Sequence, residues 1–587
     1  MSDIAERSQR LIQEFLAKTS SSPTSGSTSI ADPLNVGEAF LELTRQMMAD
    51  PAKLVEAQVN LWTGYMDLWR NATLRMMGQS APATIEPEKS DRRFKDEAWS
   101  ENVVFDYLKQ SYLLTSKWMQ KTVGEVEGLD GQTKRKVDFF TKQFVDAMAP
   151  TNFAMTNPEV LRLTAETKGE NLVKGLQHLL ADLEKGKGRL RISMTDETAF
   201  RVGENIAVTP GKVVFQNDLI QLIQYMPTTP QVVETPVLII PPWINKFYIL
   251  DLRPKNSLVR WLTAQGYSTF VVSWVNPDEK LAAKSFDDYM TEGAIAAINA
   301  VKKACKVKQV SVAGYCIGGT LLAGTLAYLK AKGDDSVANA TFITAMTDFK
   351  DIGEIRAFVD DKQLENLDQR MTEAGGFLDG ADMATTFNML RSNDLIWSFV
   401  VNNYLMGKDP LPFDLLYWNS DSTRMPKAMH SFYLWNMYLK NKLAQPGGLS
   451  LGGVPIDLGT IDTPVYFISC KDDHIAPWAS TFEGTKLMKG AAKNGRVRFV
   501  LSGSGHIGGV VNPPAANKYG YWTNDKMGDS ARTWFESAKQ HEGSWWTDWH
   551  AWLTPQAGPQ LPARVPGDGG LSVLEDAPGS YVRVRLS

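Results

Sequence analysis

The chain predicts an α/β protein: an α/β-hydrolase fold with a helical cap insertion, preceded by a mainly helical N-terminal domain. Three observations carry that expectation. Beyond about residue 190, short β-branched runs alternate with helix-patterned segments, as in a parallel sheet covered on both faces. One run leads into "SVAGYCIGGTLL", where strand-like sequence meets helix-like sequence across Gly-x-Cys-x-Gly. Upstream, apolar residues recur mostly with helical period.

At 587 residues the chain exceeds one compact core. The composition shift places a helical domain at residues 1–200, with residues 1–50 partly disordered, and a catalytic domain at 201–587 with a cap at about 349–450. The start, "MSDIAERSQRLIQEFLAKT", mixes acids and bases and has no long apolar core, so it is unlike a secretory signal. Residues 20–29, "SSSPTSGSTS", have linker composition. From Pro51, the residues Leu54, Leu61, Trp62, Tyr65, Leu68 and Trp69 form an aromatic stripe at helical spacing, which internal packing would explain, the alternative being a partner- or surface-binding role. After a break at "GQSAPATIEPEKSDRR", helical patterning resumes at "VVFDYLKQSYLLTSKWM" and persists to about Lys187.

Strand candidates follow: "VVFQ", "TPVLIIPPW", "STFVVSWV", "VSVAGYC", "ATFITAMTD", "TPVYFISC" and "VRFVLSG". The intervening "SFDDYMTEGAIAAINAVKKAC" opens on a capping box of Ser285 and Asp288. Between Asp348 and Thr463 the alternation stops, and aromatic stretches such as "RSNDLIWSFVVNNYLMG" and "HSFYLWNMYLKNKL" intervene. A helical insert between late strands reads as a cap over an active site.

Composition narrows the function. Lys plus Arg is 62 against 66 for Asp plus Glu, a formal charge of −4, so nothing electrostatic argues for nucleic acid. The cysteines Cys305, Cys316 and Cys470 cannot pair evenly and form no CxxC, which suggests a reducing compartment and no metal site. Residues 310–329 carry no charge, but Gly314, Gly318 and Gly319 divide them into a strand and a helix, so no transmembrane segment is expected.

The Gly-x-Cys-x-Gly turn pushes Cys316 into a strained, exposed position at a helix N-terminus, where the dipole favours negative charge on sulfur. The Ile317 amide would then face a developing oxyanion. Cys305 and Cys470 lack that setting and read as ordinary small apolar residues. A cysteine nucleophile needs a base, and the base needs an orienting group. "TPVYFISCKDDHIAPW" supplies Asp472, Asp473 and His474 after a strand, and "VRFVLSGSGHIGGV" supplies His506 after a later one. The order Cys316, Asp473, His506 suits this fold; His474 is the competing base and Asp472 the competing acid. The second oxyanion donor is expected in "VLIIPPWINKFYILDL", at a backbone amide near Trp243 or Ile244. Trp243, together with Trp418 and Arg424 of "YWNSDSTRMP", is a candidate for substrate contact; for Trp418 and Arg424 the alternative is structuring the cap.

Cysteine in place of serine changes the intermediate. A serine acyl-enzyme is an oxygen ester, sluggish toward an alcohol. A cysteine acyl-enzyme is a thioester that forms almost thermoneutrally from another thioester and transfers downhill to a hydroxyl. The residue choice therefore favours acyl transfer from a thioester donor to an alcohol.

"GYCIGGT", "KDDHIAPW" and "SGSGHIGGVVNPP" resemble the active-site segments of polyhydroxyalkanoate synthases. The likeness continues through "PPWINKFYILDLRPKNSLVRWL", "LRSNDLIW", "YWNSDSTRMP" and "HEGSWWTDWHAWL". It covers nearly everything between about residue 50 and Pro555, and length and N-terminal domain resemble the class I enzymes. The resemblance implies polymerisation of short-chain (R)-3-hydroxyacyl-CoA, such as 3-hydroxybutyryl-CoA, with release of CoA and no cofactor. Cys316 would carry the chain as a thioester. His506 would deprotonate Cys316 and then the monomer hydroxyl, and Asp473 would orient or assist it. The resemblance also implies a cytoplasmic homodimer on the surface of polymer granules, among granule-associated proteins. Two rivals are a cysteine hydrolase of the dienelactone type, which needs no CoA, and a granule- or membrane-coating protein that keeps the hydrolase fold.

Overall fold

The computed structural model describes Arg7, Arg10 and residues 34–585; the linker-like stretch 20–29 lies outside them. The chain divides into two compact units, residues 1–196 with 386–412, and residues 197–385 with 413–587.

The first unit is helical, with helices at Val36–Ala49, Pro51–Met76, Val103–Gly124, Gly131–Ala147, Pro158–Glu166 and Glu170–Lys185. Their starts follow from capping chemistry. Asp50, Asn102, Asp130 and Asn157 each accept a first-turn amide, and Pro51 and Pro158 begin their helices where no N–H is needed. The Pro51–Met76 helix meets Val103–Gly124 through Gly64, where a Cβ would lie 2.9 Å from Leu114, and through the Tyr65 hydroxyl, 2.6 Å from Thr115. That contact buries Leu68 but leaves Trp62 67% and Trp69 61% exposed. Internal packing therefore does not account for the whole aromatic stripe. Helical spacing marks apolar positions without saying which face a neighbour covers.

Residues 386–412, inside the expected cap at 349–450, group with the first unit. The Tyr404 hydroxyl donates to Asp182 at 2.6 Å and the Asn171 amide donates to the Leu405 carbonyl at 2.8 Å. Gly175 approaches the Tyr404 carbonyl so closely that a Cβ would lie 1.8 Å from its oxygen. An insert returning to a helix two hundred residues earlier leaves no local mark in the sequence.

The second unit is built on an eleven-stranded sheet. Its strands are β1 (Gly211–Gln216), β2 (Ile220–Tyr225), β3 (Val237–Ile240), β4 (Thr269–Trp274), β5 (Val310–Tyr315), β6 (Val337–Ile343), β7 (Val465–Cys470), β8 (Val497–Ser502), β9 (Tyr521–Thr523), β10 (Lys539–His541) and β11 (Glu575–Asp576). The spatial order is β10-β9-β8-β7-β6-β5-β3-β4-β2-β1-β11. Strands β4, β3, β5, β6, β7 and β8 run parallel, and the strands beyond them at either end pair antiparallel. Every strand quoted from the sequence lies in this sheet. β2 escaped notice because "IQLIQY" places Gln221 and Gln224 in a fully buried strand; Gln221 is satisfied by Gln216 at 2.7 Å and Ser580 at 2.9 Å. The Ser285–Asp288 capping box is present, and a π-helical stretch, Tyr289–Ile295, follows it.

Four loops at the carboxyl ends of β3, β5, β7 and β8 carry the candidate site. The last of these is gripped by the tryptophan-rich helix Trp545–Leu553. Trp545 donates to the carbonyls of Gly509 and Val510 at 3.1 and 3.2 Å, and Trp546 donates to Val510 at 2.9 Å. Among the described residues no helix is long and apolar enough to cross a membrane. Trp546 has 0% exposure, so Trp546→Ala is expected to lower stability by about 3–5 kcal/mol, measured from urea unfolding.

Candidate active site

Cys316 occupies the turn between β5 and the helix Ile317–Ala331, at φ 53° and ψ −125°. This is strained backbone for a residue with a side chain. Three glycines make it attainable. A Cβ on Gly314 would lie 2.5 Å from Gly319 Cα, one on Gly318 would lie 2.2 Å from the Ile240 carbonyl oxygen, and one on Gly319 would lie 2.4 Å from Ala345 Cβ. The Cys316 amide donates to the Ile343 carbonyl at 2.9 Å, and the Cys316 carbonyl accepts from Gly319 and Thr320 at 2.9 and 3.2 Å. The turn is thus held from both sides, with the half-buried sulfur at the head of the helix.

Asp473 and His506 come together from the loops after β7 and β8. His506 Nδ1 lies 2.6 Å from one Asp473 carboxylate oxygen. The other oxygen accepts from the amides of Ile475 and Ala476 at 2.8 and 2.9 Å. Cys316 lies near enough to His506 to act on its imidazole. Burial is the largest influence on the imidazole and would lower its pKa. The charge of Asp473, the charge Cys316 can carry, and the hydrogen bond to Asp473 together outweigh burial and push it up to about 10. His506, rather than His474, is therefore the histidine paired with Asp473, and Asp472 lies exposed beside the pair.

The other predicted residues sort differently. Ile317 stands at the first helical position, where its amide has no partner within the helix. Gly318 packs on the end of β3, so the Ile317 amide and the loop 241–246 lie at one place. Thr423 holds that loop, its amide donating to the Ile244 carbonyl at 3.0 Å and its hydroxyl to the Trp243 carbonyl. The side chain of Trp243 is 2% exposed, packed against Tyr289 at 4.6 Å and Trp274 at 5.1 Å. Buried this way, its ring packs within the unit. Trp418 is likewise buried and donates to the Lys246 carbonyl at 2.7 Å, so it supports the loop from behind. Arg424 stacks its guanidinium 4.8 Å above Phe377, and its amide donates to Asn276 at 3.0 Å.

Four residues went unread in the sequence. Buried Lys246 donates to the Val584 carbonyl at 2.6 Å. Its ammonium pKa is lowered by burial, despite Asp421 nearby. Tyr315 stacks on His506. Tyr433 and Tyr438 pack edge to face at 5.2 Å, and burial, with a lesser contribution from the charge Cys316 can carry, raises both hydroxyls. Tyr438 lies on the π-helical segment Leu434–Leu439, where a spacing of five residues brings two side chains to one face. Apolar periodicity read at 3.6 residues per turn does not find such a pair. Among the described residues no group of three or more His, Cys, Asp or Glu side chains is placed to hold a metal ion.

A sheet in this order, with its cysteine turn between β5 and a helix, defines an α/β-hydrolase fold, and residues 235–513 match that family. Residues 90–262 match a second family, described as Poly-beta-hydroxybutyrate polymerase (PhaC) N-terminus. The chain is 49% identical over 539 residues to a poly(3-hydroxyalkanoate) polymerase of Methylorubrum extorquens, covering 92% of this chain and 88% of that one. It is 46% identical to the poly(3-hydroxyalkanoate) polymerase subunit PhaC of Rhizobium meliloti, covering 95% and 90%, and 42% identical to that of Cupriavidus necator, covering 91% and 89%. The chain belongs to the poly(3-hydroxyalkanoate) polymerase family.

Two outcomes are expected. Gly318→Ala forces a Cβ into the Ile240 carbonyl, and urea unfolding should register a loss of about 1–3 kcal/mol. The pH dependence follows from His506. An unfolded histidine titrates near about 6.5, whereas folded His506 is raised to about 10. Its contribution is therefore complete below about pH 6.5 and is lost as pH rises through about 10. The stability gap between wild type and His506→Gln, followed by urea midpoints, should close over that window.

Proposed function

We propose that this protein polymerises short-chain (R)-3-hydroxyacyl-CoA, such as 3-hydroxybutyryl-CoA, into polyhydroxyalkanoate with release of CoA. The observation that carries the reading is the Asp473–His506 pair, 2.6 Å apart, with Cys316 on a strained turn near enough to act on His506. Family membership supports the polymerase chemistry, and the cysteine supports a thioester intermediate.

In this mechanism the Cys316 proton passes to His506, and the sulfur attacks the thioester carbonyl of the substrate. The developing oxyanion is met by the Ile317 amide and by the Ile244 amide of the loop after β3. CoA leaves as its thiolate and takes the proton from His506. Acylation removes the charge from Cys316, one of the influences that raise His506, and leaves a neutral imidazole oriented by Asp473. That imidazole accepts the 3-hydroxyl proton of the next monomer. The resulting alkoxide attacks the acyl-enzyme, forming an ester and releasing Cys316 as thiolate. The sulfur then attacks the CoA thioester of the lengthened chain, and the cycle repeats.

Water competes with the hydroxyl for every thioester, so long products need a dry site. The buried rings of Phe349, Tyr433 and Tyr438 are suited to that task. The protein works as a cytoplasmic homodimer at the surface of polymer granules, beside granule-associated proteins, as the family resemblance implies.

Free thiol released from 3-hydroxybutyryl-CoA, followed with a colorimetric reagent alongside turbidity from polymer, tests the reading. Cys316→Ala is expected to fall to background and Asp473→Asn to lose on the order of 10⁴-fold. Unchanged release in Cys316→Ala overturns the mechanism, and soluble acid without turbidity marks a hydrolase.

A further inference from the structure

The residue before the nucleophile has no place in the mechanism so far. Tyr315 ends β5, is 0% exposed, and lies with its ring 5.6 Å from the His506 imidazole, at an interplanar angle of 26°. Its hydroxyl donates to the backbone carbonyl of His506 at 3.3 Å. A single side chain therefore touches both the ring and the main chain of the base, and its own backbone leads directly into Cys316. We propose that Tyr315 is a positioning residue for acyl transfer: its ring face supports the imidazolium of His506, and its hydroxyl fixes the loop that carries it.

The argument is electrostatic and geometric. An aromatic face carries the negative part of the ring quadrupole and attracts a cation within roughly 6 Å of its centroid, most strongly where water is excluded. The other groups facing His506 are Asp473 after β7 and Cys316 on the turn. Cys316, Cys470 on β7 and Asp473 also act on Tyr315. Asp473 holds Nδ1 in line at the ring edge, but an in-plane hydrogen bond leaves the imidazole free to tilt about that bond. A ring stacked on its face removes this freedom. Because Tyr315 and Cys316 are consecutive, any shift of the strand end moves sulfur and imidazole together. The inference rests on the reading of His506 and Cys316 as a pair and is independent of what the acyl donor is.

Alkylation of Cys316 by iodoacetamide tests it without substrate. Rates are followed from pH 5 to 11, with Cys316→Ala subtracted to remove Cys305 and Cys470. Tyr315→Phe keeps the stack and loses the hydroxyl bond. Pentafluorophenylalanine installed at position 315 keeps nearly the same shape but reverses the ring quadrupole. The alkaline limb of the profile, where His506 loses its proton, is expected to stay at the wild-type pH in Tyr315→Phe. In the pentafluoro variant it should move down by roughly half a unit to one unit. A merely structural role predicts superimposable limbs for the two variants, and that result overturns the proposal. A limb shifted equally in Tyr315→Phe and the pentafluoro variant overturns it as well. If CoA release fails while the limb shifts as described, the polymerase reading falls and the positioning role stands.

Discussion

The close approach of main chain to main chain around Cys316 is the constraint on which the second unit depends. Between the Gly318 Cα and the Ile240 carbonyl there is no room for a methyl group, and the same holds between Gly314 and Gly319. This crowding packs the helix after the nucleophile directly on the ends of β3 and β5. It forces the positive φ of Cys316, and it puts the first amide of the helix beside the loop after β3. Strain at one residue is sustained because backbone bonds to Ile343, Gly319 and Thr320 surround it. Loops after β7 and β8 then have only to deliver a carboxylate and an imidazole to a place already fixed.

The parts of this arrangement legible in the sequence are those written in local chemistry. A strand run, a glycine-flanked cysteine and a glycine- and serine-rich loop around His506 each have a local signature, and the order of the three restricts the pairing. The choice between His474 and His506 also turned on chain order. What stayed hidden depends on partners distant in the chain. Gln221 and Gln224 disguise β2, because a glutamine is acceptable in a buried strand only when a far segment satisfies it, as Ser580 satisfies Gln221. Residues 386–412 look like the rest of the insert, yet Tyr404 and Leu405 find Asp182 and Asn171. Trp62 and Trp69 share the helical spacing of Leu68 while standing on another face. Trp243 and Trp418, conspicuous as large aromatic residues near the site, are spent on packing and on supporting the loop after β3.

That support is layered. Thr423 clasps two carbonyls of the loop, Trp418 a third, and Lys246 ties its end to Val584. Behind Lys246, Asp421 accepts a hydrogen bond from the Tyr248 hydroxyl at 2.9 Å and lies 3.7 Å from Arg585, whose guanidinium stacks 4.5 Å over Tyr417. Each carbonyl engaged this way is held by a donor from outside the loop, which fixes the loop's backbone.

The margins of the large sheet have a colloidal consequence. An open sheet leaves unpaired N–H and C=O groups along its two outermost strands, an invitation to stack with other chains. Here one margin is the two-residue acidic strand β11, with Asp576 ion-paired to Lys212, and the other is the three-residue strand β10, begun by Lys539. Both are too short and too polar to template a neighbour, which guards a chain of this size against edge-to-edge aggregation in a crowded solution.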